Sequence, residues 1–137
     1  MVHALERASD LVRQGGVLIV VHDSPIPPSI EIHQGDNHSI AGRLYDDEGF
    51  PLIREADKAV DRLIESGGAT LANHRVFPYH TQIDSYEGFC EWLDKQWETS
   101  YLPAHIDQRI KDKFLTGGTG TSVLIYRQAR IQSLKIL

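Results

Sequence analysis

The chain has 137 residues and a mass of 15.4 kDa, which is enough for one domain. Apolar residues make up 41% and charged residues 24%, values that are typical of globular proteins and argue against a disordered or fibrous chain. The net charge of −5, with no basic cluster, argues against a nucleic-acid partner, and no apolar run approaches the roughly 18 residues of a membrane-spanning helix.

The first part of the chain predicts a helix followed by a strand. Residues 3–13 carry apolar side chains at helical spacing, and Gly15 and Gly16 supply a helix stop. The early charges of this segment are unlike a secretory signal, so we expect a soluble, cytoplasmic protein without a membrane partner. Residues 17–21 are consecutive aliphatic residues, a pattern typical of a central strand buried on both faces of a parallel sheet.

A long segment without periodicity follows this strand. Three prolines lie at positions 25, 27 and 28, and turn-forming clusters lie at 35–37 and 46–49. We therefore predict a long loop or insertion at about 22–53. A loop of this length in an α/β protein is either a functional lid or a mobile insertion.

The second half of the chain predicts three helices and two strands. A helix spans residues 56–64, a strand spans 70–80, a helix begins at the capping residue Asp84, another begins at Pro103, and a last strand spans 121–132. The apolar stripe of the helix after Asp84 consists of Tyr86, Phe89, Cys90, Leu93 and Trp97.

The order of these elements predicts an α/β fold. Helices alternate with strands, and the first strand is wholly apolar, which is typical of a sheet with helices packed on it. We expect residues 1–137 to form a single domain with a small mixed sheet of three to four strands.

Several segments resemble class I S-adenosylmethionine-dependent methyltransferases, which have a Rossmann-like fold. Residues 11–20 resemble the segment in which a helix ends in a Pro-Gly-Gly turn and leads into the fifth strand, with Gln14 in place of the usual proline. Residues 77–80, 86–93 and 122–127 resemble the last two strands of that fold and the helices between them. The resemblance covers most of this chain and about the second half of a full methyltransferase.

The resemblance implies a chain without a cofactor site of its own. Full-length relatives transfer a methyl group from S-adenosylmethionine, which rests on a glycine-rich turn after the first strand. This chain has no strand–Gly-x-Gly–helix unit, since the glycine-rich residues 117–120 follow a helix and precede the last strand. We therefore expect no cofactor-binding residue, no S-adenosylmethionine bound by this chain alone, and a methyltransferase-like domain that is inactive alone.

The resemblance also implies a partner. The family's fifth strand lies between the fourth and the seventh, so the strand at residues 17–21 has no neighbour on one side. Such an apolar edge favours pairing with a second copy of the chain or with a complementary protein chain. The alternative is a non-enzymatic binding or dimerisation module that uses the 22–53 loop and this exposed edge.

The histidines and the cysteine do not predict a metal site or a catalytic residue. His33 and His38 are five residues apart in the predicted loop, and His74 and His80 share one face of a predicted strand. Zinc-protease helices carry two histidines four residues apart, and these pairs do not have that spacing. The single cysteine, Cys90, excludes an internal disulfide and is expected to be a buried structural thiol.

Four residues remain as candidates for a substrate-binding site. His22 and Asp23 follow the first strand, and ligands of open α/β sheets bind beyond the carboxyl ends of strands. A histidine near a carboxylate can also transfer protons. Tyr79 and His80, late in the second strand, are the other two candidates. The alternative is that His22 and Asp23 are only the polar end of a buried strand, because neighbouring residues on a strand point to opposite faces.

Overall fold

The structure is a computed structural model that describes residues 2–96 and 98–137, with nothing stated of the side chains of Val2 and His3. Trp97, which the sequence places on an apolar stripe, lies outside the described residues. In the described part of the chain the elements are, in order, α1 (Val2–Leu11), β1 (Val17–Asp23), β2 (Ser29–Gln34), β3 (Asn37–Arg43), β4 (Tyr45–Asp46), α2 (Gly49–Glu65), β5 (Ala69–Ile83), α3 (Tyr86–Asp94), β6 (Ser100–Tyr101), α4 (Ala104–Thr116) and β7 (Thr121–Ile136).

The chain divides into two compact units. The first unit comprises Met1–Pro25, Phe50–Phe77 and Gln128–Leu137, and the second comprises Ile26–Gly49 and Pro78–Arg127. That the two units form a single domain stays a prediction.

The first unit is built on the pairing of β1 with the second part of β7. The two strands are antiparallel, in a register from Val17 opposite Lys135 to Asp23 opposite Ala129. The helices α1 and α2 cover one face of this pair. Both are amphipathic, with apolar residues repeated at helical spacing on one side. The buried residues of this core are Val60, Ala69, Leu134 and Ile136, with Leu5, Val12, Leu18, Val20, Leu63 and Ile64 packed against them.

The expectation that residues 17–21 are buried on both faces is wrong. Leu18 and Val20 pack into the core of the first unit, whereas Val17, Ile19 and Val21 are 56%, 64% and 59% exposed. Burial therefore alternates along β1, as on a strand that is covered on one face only. The alternation cannot be read from the sequence, because the exposed positions are as apolar as the buried ones.

The second unit contains a hairpin in the segment predicted to be a loop. β2 and β3 pair antiparallel around a two-residue turn, and β2 also pairs with residues 121–126 of β7. The prediction of a long irregular loop at 22–53 is therefore wrong over β2, β3 and β4. Within β2, Ile30 and Ile32 alternate with polar residues, which is a half-buried strand pattern that the neighbouring prolines obscure.

The core of the second unit joins the hairpin to two helices. Its buried residues are Ile30, Ile32, Ala41, Leu44, Phe89, Ile106, Ile110, Val123 and Ile125. Ser85, not Asp84, caps α3, because its side chain accepts a hydrogen bond from the amide of Gly88 at 3.0 Å. Cys90 on this helix is half-buried, where a buried thiol was expected.

The α/β class is confirmed, whereas the expected strand count is too low. Among the described residues β1, β2, β3, β5 and β7 belong to one sheet, and β4 and β6 form a separate two-stranded sheet. The pairings with a defined register are antiparallel, where a mixed sheet was expected. The long strand β7 pairs with β1, β2 and β5. The helix α2 lies between β1 and β5 in the sequence.

Candidate functional site

The carboxyl end of β1 carries a group of partly buried polar side chains in the first unit. His22 lies directly opposite Arg130 of β7, so both side chains project from the same face of the sheet. This is the face on which Leu18 and Val20 pack, since all three β1 residues are an even number apart. α2 covers the same face and brings Asp57, one turn before the buried Val60, to the side chains of His22 and Arg130.

Asp57 lies between His22 and Arg130. Its Oδ2 accepts a hydrogen bond from Nη1 of Arg130 at 2.8 Å, and its Oδ1 lies 3.2 Å from Nε2 of His22. The side chains of His22, Asp57 and Arg130 are 10%, 19% and 30% exposed. The second ring nitrogen of His22, Nδ1, lies 2.8 Å from the carbonyl oxygen of Asp23. We call His22, Asp57 and Arg130 the His22 cluster.

Several buried polar atoms in and beside the His22 cluster lack a hydrogen-bond partner in the described structure. The contact between His22 Nε2 and Asp57 Oδ1 is short but is not aligned as a hydrogen bond. Three further buried atoms have no hydrogen-bond partner there: Nε of Arg130, Oε1 of Gln132 and Oγ of Ser24. A buried polar atom without a partner costs about 1–3 kcal/mol, and native proteins keep few of them, often at functional positions.

This arrangement can hold charge but does not present a free histidine. Both ring nitrogens of His22 face oxygen atoms of the protein, so the ring must rotate before it can exchange a proton with a ligand. The groups with unused hydrogen-bonding capacity include a donor, Nε of Arg130, and an acceptor, Oε1 of Gln132.

The four residues predicted from the sequence fall into two places. His22 and Asp23 end β1 in the first unit, where Nδ1 of His22 lies 2.8 Å from the carbonyl oxygen of Asp23. Tyr79 and His80 lie on β5 in the second unit, where the ring of His80 is 5.5 Å from that of Tyr126. A substrate site shared by the four residues stays a prediction.

Sequence reasoning missed the other two residues of the His22 cluster. Asp57 and Arg130 are 35 and 108 positions away from His22, and neither belongs to a recognisable motif with it. The one available signal is a carboxylate placed beside the apolar stripe of α2, next to the buried Ala56. A charged residue on the buried side of a helix requires a partner, which the stripe alone does not identify.

The second unit has a buried carboxylate of its own, which has a structural role. Asp46 accepts hydrogen bonds from the amides of Gly49 and Glu48 at 2.6 and 3.1 Å, and from the hydroxyls of Thr99 and Ser100 at 2.7 and 3.0 Å. Burial raises the pKa of Asp46, but these four hydrogen bonds outweigh it and hold the pKa below its ordinary value. Asp46 therefore joins β4, the first residue of α2, the first residue of β6 and the residue before it.

A tyrosine in the second unit is also held in its neutral form. The hydroxyl of Tyr86 donates to the carboxylate of Asp107, at 3.0 Å from Oδ1 and 3.1 Å from Oδ2. Burial raises the pKa of Tyr86, and the hydrogen bond and negative charge of Asp107 raise it further. Tyr86 is thus a hydrogen-bond donor that links α3 to α4 and is not a candidate base.

Neither a three-ligand metal centre nor a membrane-spanning helix is present in residues 2–96 and 98–137. No three or more histidine, cysteine, aspartate or glutamate side chains there are grouped so that they could hold a metal ion. No helix of that part is long and apolar enough to cross a membrane. Comparison with known proteins yields no match: no family model, no curated protein and no solved structure is similar to this chain.

Proposed function

We propose that this chain supplies the closing strands of a methyltransferase-like sheet and acts together with a complementary polypeptide that carries the S-adenosylmethionine site. Alone, it transfers no methyl group. The observation that carries the proposal is that β1 pairs on one edge with the last strand, β7, and has no second partner in the described chain. The family's fifth strand likewise has the seventh as one of its two neighbours, and this shared neighbour supports the proposal.

The hydrogen bonds at both ends of β1 identify its open edge. The amide of Ser24 donates to the carbonyl of Gln128 at 2.7 Å, and the amide of Ile136 donates to the carbonyl of Gly16 at 2.9 Å. In an antiparallel pair the residues that bond to the partner strand alternate. The even-numbered residues of β1 therefore bond to β7, and the amides and carbonyls of the odd-numbered residues point away from it.

The residues that form this open edge are also the exposed aliphatic ones. The backbone polar groups of Val17, Ile19 and Val21 point away from β7, in the plane of the sheet. Their side chains lie on the face of the sheet that is opposite the core. Edge strands of soluble proteins normally carry a lysine, a proline or a bulge that prevents pairing. The stretch 17–21 has no lysine or proline, and its register with β7 is regular, so it favours a partner.

The first test is a calorimetric titration of the full chain with S-adenosylmethionine. We expect no binding tighter than roughly millimolar, which corresponds to about −4.1 kcal/mol. Tighter binding by the chain alone would contradict the proposal, because the chain would then contain a cofactor site. Co-expression with the products of adjacent reading frames is the positive arm. We expect one of them, with a strand–glycine turn–helix unit, to form a complex that binds S-adenosylmethionine.

The same edge also supports a non-enzymatic alternative, in which β1 pairs with β1 of a second copy. This alternative predicts a dimer in sedimentation experiments that dissociates when Ile19→Lys places a charge at the centre of the edge. It also predicts that no complex of the chain binds S-adenosylmethionine. A monomer whose amides at 17, 19 and 21 are protected from hydrogen exchange would contradict both functions, since these amides would then be bonded within the chain.

A further inference from the structure

The hairpin of the second unit places two histidines directly opposite each other. The strands β2 and β3 are joined by a two-residue turn, in which Gly35 has a φ of +58°, and Gln34 pairs with Asn37. The next pair along the ladder is His33 with His38. Since the closing pair of a two-residue hairpin is hydrogen-bonded, the His33–His38 pair is a non-hydrogen-bonded pair, in which the side chains approach most closely.

The two imidazole rings are in contact. Their centroids are 5.4 Å apart and their planes are inclined by 22°. Glu31, two residues before His33 on the same face of β2, places its Oε2 3.2 Å from Nε2 of His33. A ring whose Nε2–H is donated to a carboxylate presents its lone pair at Nδ1.

We infer that His33 and His38 form a two-histidine site for a divalent transition-metal ion of the zinc class, independent of the proposed function. Imidazole is a preferred ligand of Zn²⁺, Cu²⁺ and Ni²⁺, and water fills the coordination positions that the protein leaves open. Glu31 is a positioning residue that fixes the tautomer and the orientation of His33. Metal-binding histidines commonly donate their second ring N–H to a carboxylate in this way.

The distances are compatible with a shared ion. Zinc binds imidazole nitrogen at about 2.0–2.1 Å, so two nitrogens on one ion are at most about 4.2 Å apart. The ring centroids are 5.4 Å apart in a stacked arrangement, so one ring must turn about its side-chain bonds for both rings to bind the same ion. His38 is exposed, which leaves room on the solvent side for its ring to turn away from that of His33.

Other histidines of the described chain are placed differently. Both ring nitrogens of His22 face protein oxygens in the His22 cluster, and the ring of His80 lies against that of Tyr126. His105 is an exposed residue of α4 and has no ring contact with another histidine whose side chain the structure describes. His105 is therefore the matched control for the pair.

The test is a titration of the full chain with ZnCl₂, followed by NMR correlation spectra of the histidine side chains. We expect the ring signals of His33 and His38 to change together and to saturate at one Zn²⁺ per chain. His33→Asn and His38→Asn are each expected to weaken zinc binding by at least about tenfold, because each removes one of two protein ligands. Glu31→Gln is expected to weaken it about tenfold, the lower end of the usual effect of losing such a carboxylate.

The control variant, His105→Asn, is expected to bind zinc as the wild type does. The inference is overturned if the signals of His33 and His38 stay unchanged while those of other histidines respond. It is also overturned if either single asparagine variant, with an unchanged far-UV circular dichroism spectrum, binds zinc as tightly as the wild type.

Discussion

Removal of the Asp57 carboxylate tests the His22 cluster directly. The variant Asp57→Ala leaves Arg130 and His22 on the helix-covered face of the sheet without the carboxylate that lies between them. Loss of a partner in a fully buried ion pair costs about 3–5 kcal/mol, whereas exposed pairs contribute about 0–1 kcal/mol. The side-chain exposures of 19% and 30% place this pair between the two cases. We therefore expect a loss of about 2 kcal/mol in the free energy of unfolding.

The assay is urea unfolding of wild type and variant at pH 7, with thermal unfolding as a second measurement. A loss of about 2 kcal/mol corresponds to a fall of roughly 6–10 °C in the melting temperature of a chain of this size. The matched control is Asp61→Ala, which removes an exposed carboxylate one turn further along α2 and is expected to change stability by less than about 0.5 kcal/mol. If the two variants are equally stable, the pairing of Asp57 with Arg130 is not formed in solution and the reasoning fails.

Three further predictions concern the open edge and the second unit. Ile19→Lys is expected to leave the stability of the isolated chain within about 0.5 kcal/mol, because Ile19 is exposed, and to abolish any association measured by sedimentation. The lowered pKa of Asp46 means that its stabilising contribution is complete above the pKa of the unfolded carboxyl and is lost as the pH falls through the folded one. Asp46→Asn should therefore cost about 1–2 kcal/mol at pH 7 and flatten the acid limb of a stability–pH curve. Gly42→Ala is expected to cost about 1–3 kcal/mol in urea unfolding, since the added Cβ meets the buried side chain of Ile106, and an unchanged midpoint would contradict this packing.

The elements that could be predicted from the sequence are those whose signal is local. The apolar repeat of α2 and the aliphatic run at 17–21 each lie within one element, and both elements are present in the structure. β2 and β3 also carry a local signal, but it is short, and the prolines before it indicate irregular structure. Partners that are distant in the chain leave no such signal. The pairing of Asp57 with His22, and that of His33 with His38, depend on how elements pack and on the register of a turn.

Residues 17–21 of β1 are all aliphatic, yet three of them are more than half exposed. The exposed area sets how much binding free energy a partner gains by covering them. Full burial of a valine or isoleucine side chain contributes about 1.5–3 kcal/mol. With 56–64% of Val17, Ile19 and Val21 still exposed, complete cover of the three side chains would add roughly 4 kcal/mol. Association costs about 4–15 kcal/mol in lost freedom of motion, so these side chains alone cannot hold a complex together.

A strand added only at the edge of β1 would not gain all of this burial free energy. The exposed side chains lie on the face of the sheet and not in its plane, so an added strand does not cover them. A stable partner must therefore both extend the sheet and cover that face, including the exposed Ile131 opposite Val21. Edge-to-edge pairing of two copies meets only the first requirement, and we expect it to be weak. A complementary chain that supplies a strand and a helix meets both, and for this reason we favour it over the simple dimer.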